Sequence, residues 1–129
     1  MDNEMTPKII IERPPPDYEE ITRRIVESVN PERVILFGSR ARGDNRPDSD
    51  IDIIVVLRKI ENRGQMIMTI HNAVGDTGYG IDILAYSARQ ILQRADWSTS
   101  PISHALKEGR VLYERPRRRS KELVAHRSA

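Results

Sequence analysis

Gly38-Ser39, then ten residues, then Asp50-Ile51-Asp52 is the stretch whose residue types and spacing can do chemistry. Side chains on a strand alternate faces, so Asp50 and Asp52 would project the same way, about 6–7 Å apart along the strand. Both stand at the entrance to an apolar run, Ile51 to Leu57. Two carboxylates placed there repel each other and lose hydration, which is costly unless a cation neutralises them. Oxygen ligands without sulfur or clustered imidazoles suit a hard ion, Mg²⁺ or Mn²⁺. A third acid, Asp82, is embedded in Ile81-Asp82-Ile83. If its strand lies beside the first, three carboxylates converge. Gly38-Ser39 is the complement, because a glycine after a strand lets backbone approach a ligand and a tight turn can offer amides to phosphate oxygens. The Ser39 hydroxyl adds a donor, and Arg40 and Arg42 add positive charge. An Asp-x-Asp pair alone is a weak signal, ordinary at a loop end; the glycine-serine ahead of it is what turns the reading toward a metal-bridged triphosphate.

The flanking sequence supplies elements that can hold these residues. Asp17 reads as a helix N-cap with Glu20 completing a capping box, and Tyr18, Ile21, Thr22, Ile25 and Val29 form one stripe before Pro31 ends the helix. Val34-Ile35-Leu36-Phe37 is a β-type run that stops at Gly38. Residues 40–49 are polar and read as loop with a helical turn. Ile51 to Leu57 has the near-continuous β-branched character of a strand buried on both faces. A helix is predicted over 61–74 with Met66, Ile67, Ile70 and Val74 inward, then a glycine-bearing turn, then a strand over 81–84. Ser87 can cap a further helix with Ala88, Ile91 and Leu92 on its buried side, Pro101 can open a last helix through Leu106, and Val111-Leu112-Tyr113 makes a short final strand. Alternating strands and helices predict an α/β fold.

Leu36-Phe37-Gly38-Ser39-Arg40-Ala41-Arg42-Gly43 and Ser49-Asp50-Ile51-Asp52-Ile53, with the later Asp82, resemble the DNA polymerase β-type nucleotidyltransferase superfamily, and within it the minimal nucleotidyltransferase (MNT) branch. The motif covers residues 36–57 and the order of elements 17–114; the first 16 residues and the tail match nothing. The resemblance implies a mixed sheet of three to five strands flanked by helices and a site for two Mg²⁺ ions, with Mn²⁺ as a substitute. It implies that Asp50, Asp52 and Asp82 are metal ligands and the catalytic residues, that Asp82 helps deprotonate the acceptor hydroxyl, and that Gly38 and Ser39 hold the β and γ phosphates of ATP or another NTP. Arg40 and Arg42 are the further candidates for phosphate contact. The branch pairs with all-helical HEPN proteins as antitoxin, in some cases placing AMP on a HEPN tyrosine, so a protein hydroxyl is the expected acceptor. A small molecule of the aminoglycoside kind and a non-catalytic masking role are the competing readings.

Size and composition agree with one globular domain: 129 residues, 38% hydrophobic and 31% charged. The domain is expected over 17–114, between an arm, residues 1–16, and a basic tail, residues 115–129. No cysteine occurs, which excludes disulfides and thiolate chemistry and fits a cytoplasmic setting. No apolar run is long enough to span a bilayer, so no membrane role is expected. The net charge of +2 is unevenly placed: from Arg115 onward six Lys/Arg face one Glu, whereas the preceding residues carry 15 basic and 18 acidic groups. The tail is thus open to weak RNA contact, and self-association of the domain stays open. Asp44 and Asp48 fail the spacing of the acid pair and read as turn residues, His71 as a helix-surface or core histidine, Gly75-Asp76-Thr77-Gly78 as a turn, and Trp97 as an edge-packing residue or a partner anchor.

Overall fold

The computed structural model describes residues 14–95 and 101–116. The arm through residue 13, Trp97 and the basic tail from residue 117 lie outside the described residues. Helix α1 spans Tyr18–Val29, β1 Arg33–Phe37, α2 Ser39–Arg42, β2 Ile51–Leu57, α3 Arg63–Val74, β3 Ile81–Ser87, α4 Ala88–Ala95, α5 Pro101–Glu108 and β4 Arg110–Glu114. The strands form one mixed sheet in the order β3-β2-β1-β4, with β1 antiparallel to both β2 and β4, and β2 parallel to β3. Among the described residues no helix is long and apolar enough to cross a membrane.

Local chemistry accounts for the boundaries. The Asp17 carboxylate accepts the Glu20 amide at 3.0 Å and starts α1. Asn30, in the left-handed region at φ 49°, returns its amide to the Val26 carbonyl and ends α1 before Pro31. Asn62 accepts the Gln65 amide at 2.9 Å, so α3 begins at Arg63, two residues later than the sequence predicts. Ser87 and Gln90 cap α4 reciprocally: the Gln90 amide donates to Ser87 Oγ and the Ser87 amide to Gln90 Oε1.

β2 is the axis of the molecule. Ile51, Ile53, Val55 and Leu57 face α1 and α3, where they pack with Ile21, Ile25, Ile70 and Val74. Ile54 and Val56 face the other way, with Ile35, toward Ile91 of α4 and Ile102 and Ala105 of α5. Burial of both faces is why every position of this strand except Asp52 is buried. Two expectations are corrected here. β3 runs to Ser87 rather than stopping at residue 84, because Ala85, Tyr86 and Ser87 keep pairing with Val55, Val56 and Leu57 although Ala85 is itself a weak strand former. Leu92 is not inward but 73% exposed. Helix α4 is two turns long and meets the sheet through Ala88 and Ile91, leaving Leu92 beyond the margin of contact.

Candidate active site

The end of β1 and the starts of β2 and β3 lie side by side at one end of the sheet. Phe37 pairs with Asp52, and Asp52 pairs with Asp82 across the parallel β2–β3 ladder. Asp52 therefore shares its face with Ile54 and Val56, the face covered further along by α4 and α5. That cover does not extend over the acids: Asp52 is half-buried, and Asp50 and Asp82 are exposed. Asp50, two residues before Asp52, reaches over Gly80, the residue that leads into β3.

Gly38 makes the turn from β1 into α2 with φ 74° and ψ −157°, a conformation in which only glycine is comfortable. A Cβ built on it would overlap Asp52 Oδ2 and lie 3.2 Å from its Cγ. The absent side chain thus gives the Asp52 carboxylate its place against the turn. Ser39 opens the single-turn α2, and its carbonyl accepts the amides of Gly43 and Asp44 at 2.9 and 3.2 Å.

The two arginines separate in role. Arg40 turns away from the acids: its Nε donates to the Ser49 carbonyl at 2.9 Å, its terminal nitrogen to the Pro47 carbonyl at 3.1 Å, and its guanidinium stands 4.8 Å from the centre of the Tyr79 ring. These contacts fasten the loop between α2 and β2 to the turn before β3, which fixes where Asp50 leaves the loop. Arg42 is half-exposed and paired with Asp44 at 3.2 Å and Glu108 of α5 at 3.5 Å. Pairs this exposed are weak and are easily exchanged for another anion. Asp44 and Asp48 are exposed loop residues and His71 is exposed on α3. Asp76 accepts the Gly78 amide at 2.9 Å, an Asx-type turn and no phosphate loop. Three neighbours of the site escape the motif: Gly80, Tyr79 and Glu108. Of these only Gly80 leaves a trace in the sequence, a glycine directly ahead of Ile81-Asp82.

Burial first, then the charges of Asp82 and Asp50 and hydrogen bonding with Asp82, push the Asp52 carboxyl above its ordinary 3.8, while Arg42 pulls the other way. Such a group costs the folded state something whenever it is ionised. The stability it contributes is fully present below about pH 3.8, its unfolded value, and is lost as pH rises through its raised folded value. In chelator-treated protein, Asp52→Asn is therefore expected to melt above wild type at pH 7, the gap narrowing as the pH falls toward 3.8. Calorimetric scans across that range check this; a variant that melts lower at pH 7 would contradict it.

The residues fit a divalent cation. All three acids are oxygen donors, Asp52 is held partly out of water by its neighbours, and two glycine positions leave room against the carboxylates that any side chain would fill. Among the described residues no three acidic or histidine groups are already closed around an ion position. Mg²⁺ keeps several waters and takes one or two protein carboxylates together with substrate phosphates, so it does not need a cage closed by protein groups alone. An apolar hollow of about 360 Å³ between α1 and β4, lined by Tyr18, Thr22, Val26, Leu112 and Tyr113, includes none of these residues.

Comparison with known proteins gives the family and the fold. The family model described as polymerase beta, nucleotidyltransferase, matches residues 19–118. No curated protein matches by sequence. Among solved structures, a protein assigned as a nucleotidyltransferase from Sulfolobus solfataricus is 24% identical, with 75% of this chain and 77% of that chain covered at a TM-score of 0.53. A toxin–antitoxin structure with AMP-PNP is 20% identical, covering 86% and 82%, at 0.52. A mutant of the toxin–antitoxin MntA-HpeT, in which two aspartates two residues apart are changed to glutamate, is 18% identical over the same shares, at 0.50. At these identities the structures show a common fold: a mixed four-stranded sheet flanked by helices.

Proposed function

This chain belongs to the polymerase beta nucleotidyltransferase family, and we propose that it uses Mg²⁺ to transfer AMP from ATP to a hydroxyl of a partner protein, as the antitoxin of a HEPN/MNT pair. The observation that carries the reading is the register of Asp52 with Asp82, with Asp50 beside them, at the open end of the sheet next to Gly38-Ser39. The family generally works on NTPs with divalent metal, and one neighbour of the same fold was solved with AMP-PNP, which supports an adenine nucleotide. Two neighbours are toxin–antitoxin proteins, which supports a protein partner.

In this reading Gly38 and Ser39 hold the β and γ phosphates, and Arg42 releases Asp44 and Glu108 to meet phosphate charge. Asp50, Asp52 and Asp82 hold the cations, which supply charge neutralisation at the reacting phosphate and at the hydroxyl. Asp82 sits on the edge strand β3, with its side chain exposed, and takes the proton of the acceptor hydroxyl. The hydroxyl oxygen bonds to the α-phosphorus, the bond from that phosphorus to the bridging oxygen breaks, and pyrophosphate leaves. Most of the rate comes from positioning and fixed charge. Asp82 and Leu84 present an uncovered face, Leu84 39% exposed, where the acceptor must stand.

The test is to purify the full chain with its co-expressed partner, add Mg²⁺ and ATP, and weigh the partner by intact-mass spectrometry. One or more AMP units are expected on the partner with wild type and none with Asp82→Asn. No added mass with wild type, or equal addition by the variant, would overturn the reading. Turnover of an aminoglycoside in place of the partner would move the acceptor class to small molecules. Full partner inhibition by Asp50→Ala/Asp82→Ala would make masking the function.

A further inference from the structure

We infer that Gly80 is a positioning residue: the absence of a side chain there sets the direction of the Asp50 carboxylate. This rests on the reading of Asp50 as a cation ligand given above.

A Cβ built on Gly80 would overlap Asp50 Oδ1, lie 2.9 Å from its Cγ and 3.5 Å from Oδ2. The Gly80 carbonyl accepts the Ile51 amide at 2.8 Å, so residue 80 and the residue after Asp50 are tied to each other at the mouth of the β2–β3 ladder. On both strands the next paired residues are Ile51 with Ile81 and Asp52 with Asp82, so the tie continues directly into the site. A side chain at position 80 would therefore be accommodated by Asp50 alone, whose exposed carboxylate would swing to another staggered rotamer. That swing moves its oxygens by about an ångström or more, a misplacement on the order of a hundredfold in a reaction that depends on positioning.

Gly80 differs in this from Gly38. Gly38 is needed for its backbone, at φ 74°, as well as for space, whereas Gly80 is not among the glycines of positive φ. Alanine suits the Gly80 backbone, and the three atoms nearest its Cβ would all belong to the Asp50 carboxylate. The role is thus carried by the geometry of one side chain, and it can be separated from folding.

The experiment is Mn²⁺ titration of the full chain, followed by electron paramagnetic resonance of the free ion, for wild type, Gly80→Ala, Asp50→Ala and the double variant, with a thermal melt of each. Gly80→Ala is expected to raise the Mn²⁺ Kd about tenfold to a hundredfold, the range seen when a group that orients a ligand is removed. In the Asp50→Ala background the same change is expected to add nothing, in Kd or in melting temperature, because the carboxylate it displaces is gone. Wild-type affinity in Gly80→Ala would overturn the inference. So would an equal loss in both backgrounds, or a double variant that melts well below Asp50→Ala, since either places the role of Gly80 in the backbone. A wild-type chain that binds no Mn²⁺ would instead overturn the metal reading on which the inference stands.

Discussion

Asp82→Asn is expected to lower kcat by about a thousandfold or more while the chain folds as wild type. Asp82 is exposed on β3 and supports no part of the core, so its replacement leaves Ile81 and Ile83 where they are. What it removes is a negative charge paired in register with Asp52, the group that takes the acceptor's proton in the proposed reaction. Charge stabilisation by a metal site is worth several kcal/mol, and each 1.36 kcal/mol is tenfold in rate, so roughly a thousandfold follows from losing a large part of it. The loss should fall on kcat and kcat/KM together with ATP affinity little changed, the pattern of an interaction made in the transition state. Single-turnover transfer to the partner, with ATP binding measured separately, checks both parts. A variant that keeps a tenth of wild-type kcat would remove Asp82 from the chemistry.

Gly38→Ala is expected to cost activity and stability together. The backbone at φ 74° and ψ −157° belongs to a region used almost only by glycine, and holding alanine there costs about 1–3 kcal/mol. For a domain near this size that is about 4–8 °C of melting temperature per kcal/mol. The new Cβ would also drive into Asp52 Oδ2, on a half-buried carboxylate that feels the charges of Asp50 and Asp82. Displacing it by an ångström is expected to lower kcat by about a hundredfold or more. Melting curves and transfer rates check the two effects separately, and Gly38→Ala/Asp52→Ala should recover part of the stability and none of the activity. A fully active Gly38→Ala would show that Asp52 has another place to go.

What could be read from residues alone follows from how local each signal is. β2 was legible because a strand buried on both faces leaves a continuous apolar run, and its single half-buried position, Asp52, stood out against it. Capping at Asp17 and Ser87 was legible because those hydrogen bonds close within three residues. The pairing of Asp52 with Asp82 was not, since register between parallel strands is set by the intervening α3 and by packing, neither of which appears in a short window. The same limit separates Arg40 from Arg42: two arginines two residues apart look alike, yet one is committed to the Ser49 and Pro47 carbonyls and the other to exposed, exchangeable carboxylates. Leu92 fits an inward stripe but stands outside the reach of a two-turn helix. Gly80 belongs to the glycine-bearing turn before β3, and no short window shows its role, which depends on the side chain of Asp50, thirty residues away in sequence.

The proposed function requires Asp50, Asp52 and Asp82 together to bind divalent metal beside a triphosphate seated on the turn after β1. A crystal of the full chain grown with Mn²⁺ and AMP-PNP, with data collected at the manganese edge, measures it directly. Anomalous density is expected between the carboxylates of Asp50, Asp52 and Asp82, with the phosphates against Gly38 and Ser39. Manganese elsewhere on the molecule, with those three carboxylates facing only water, would contradict it.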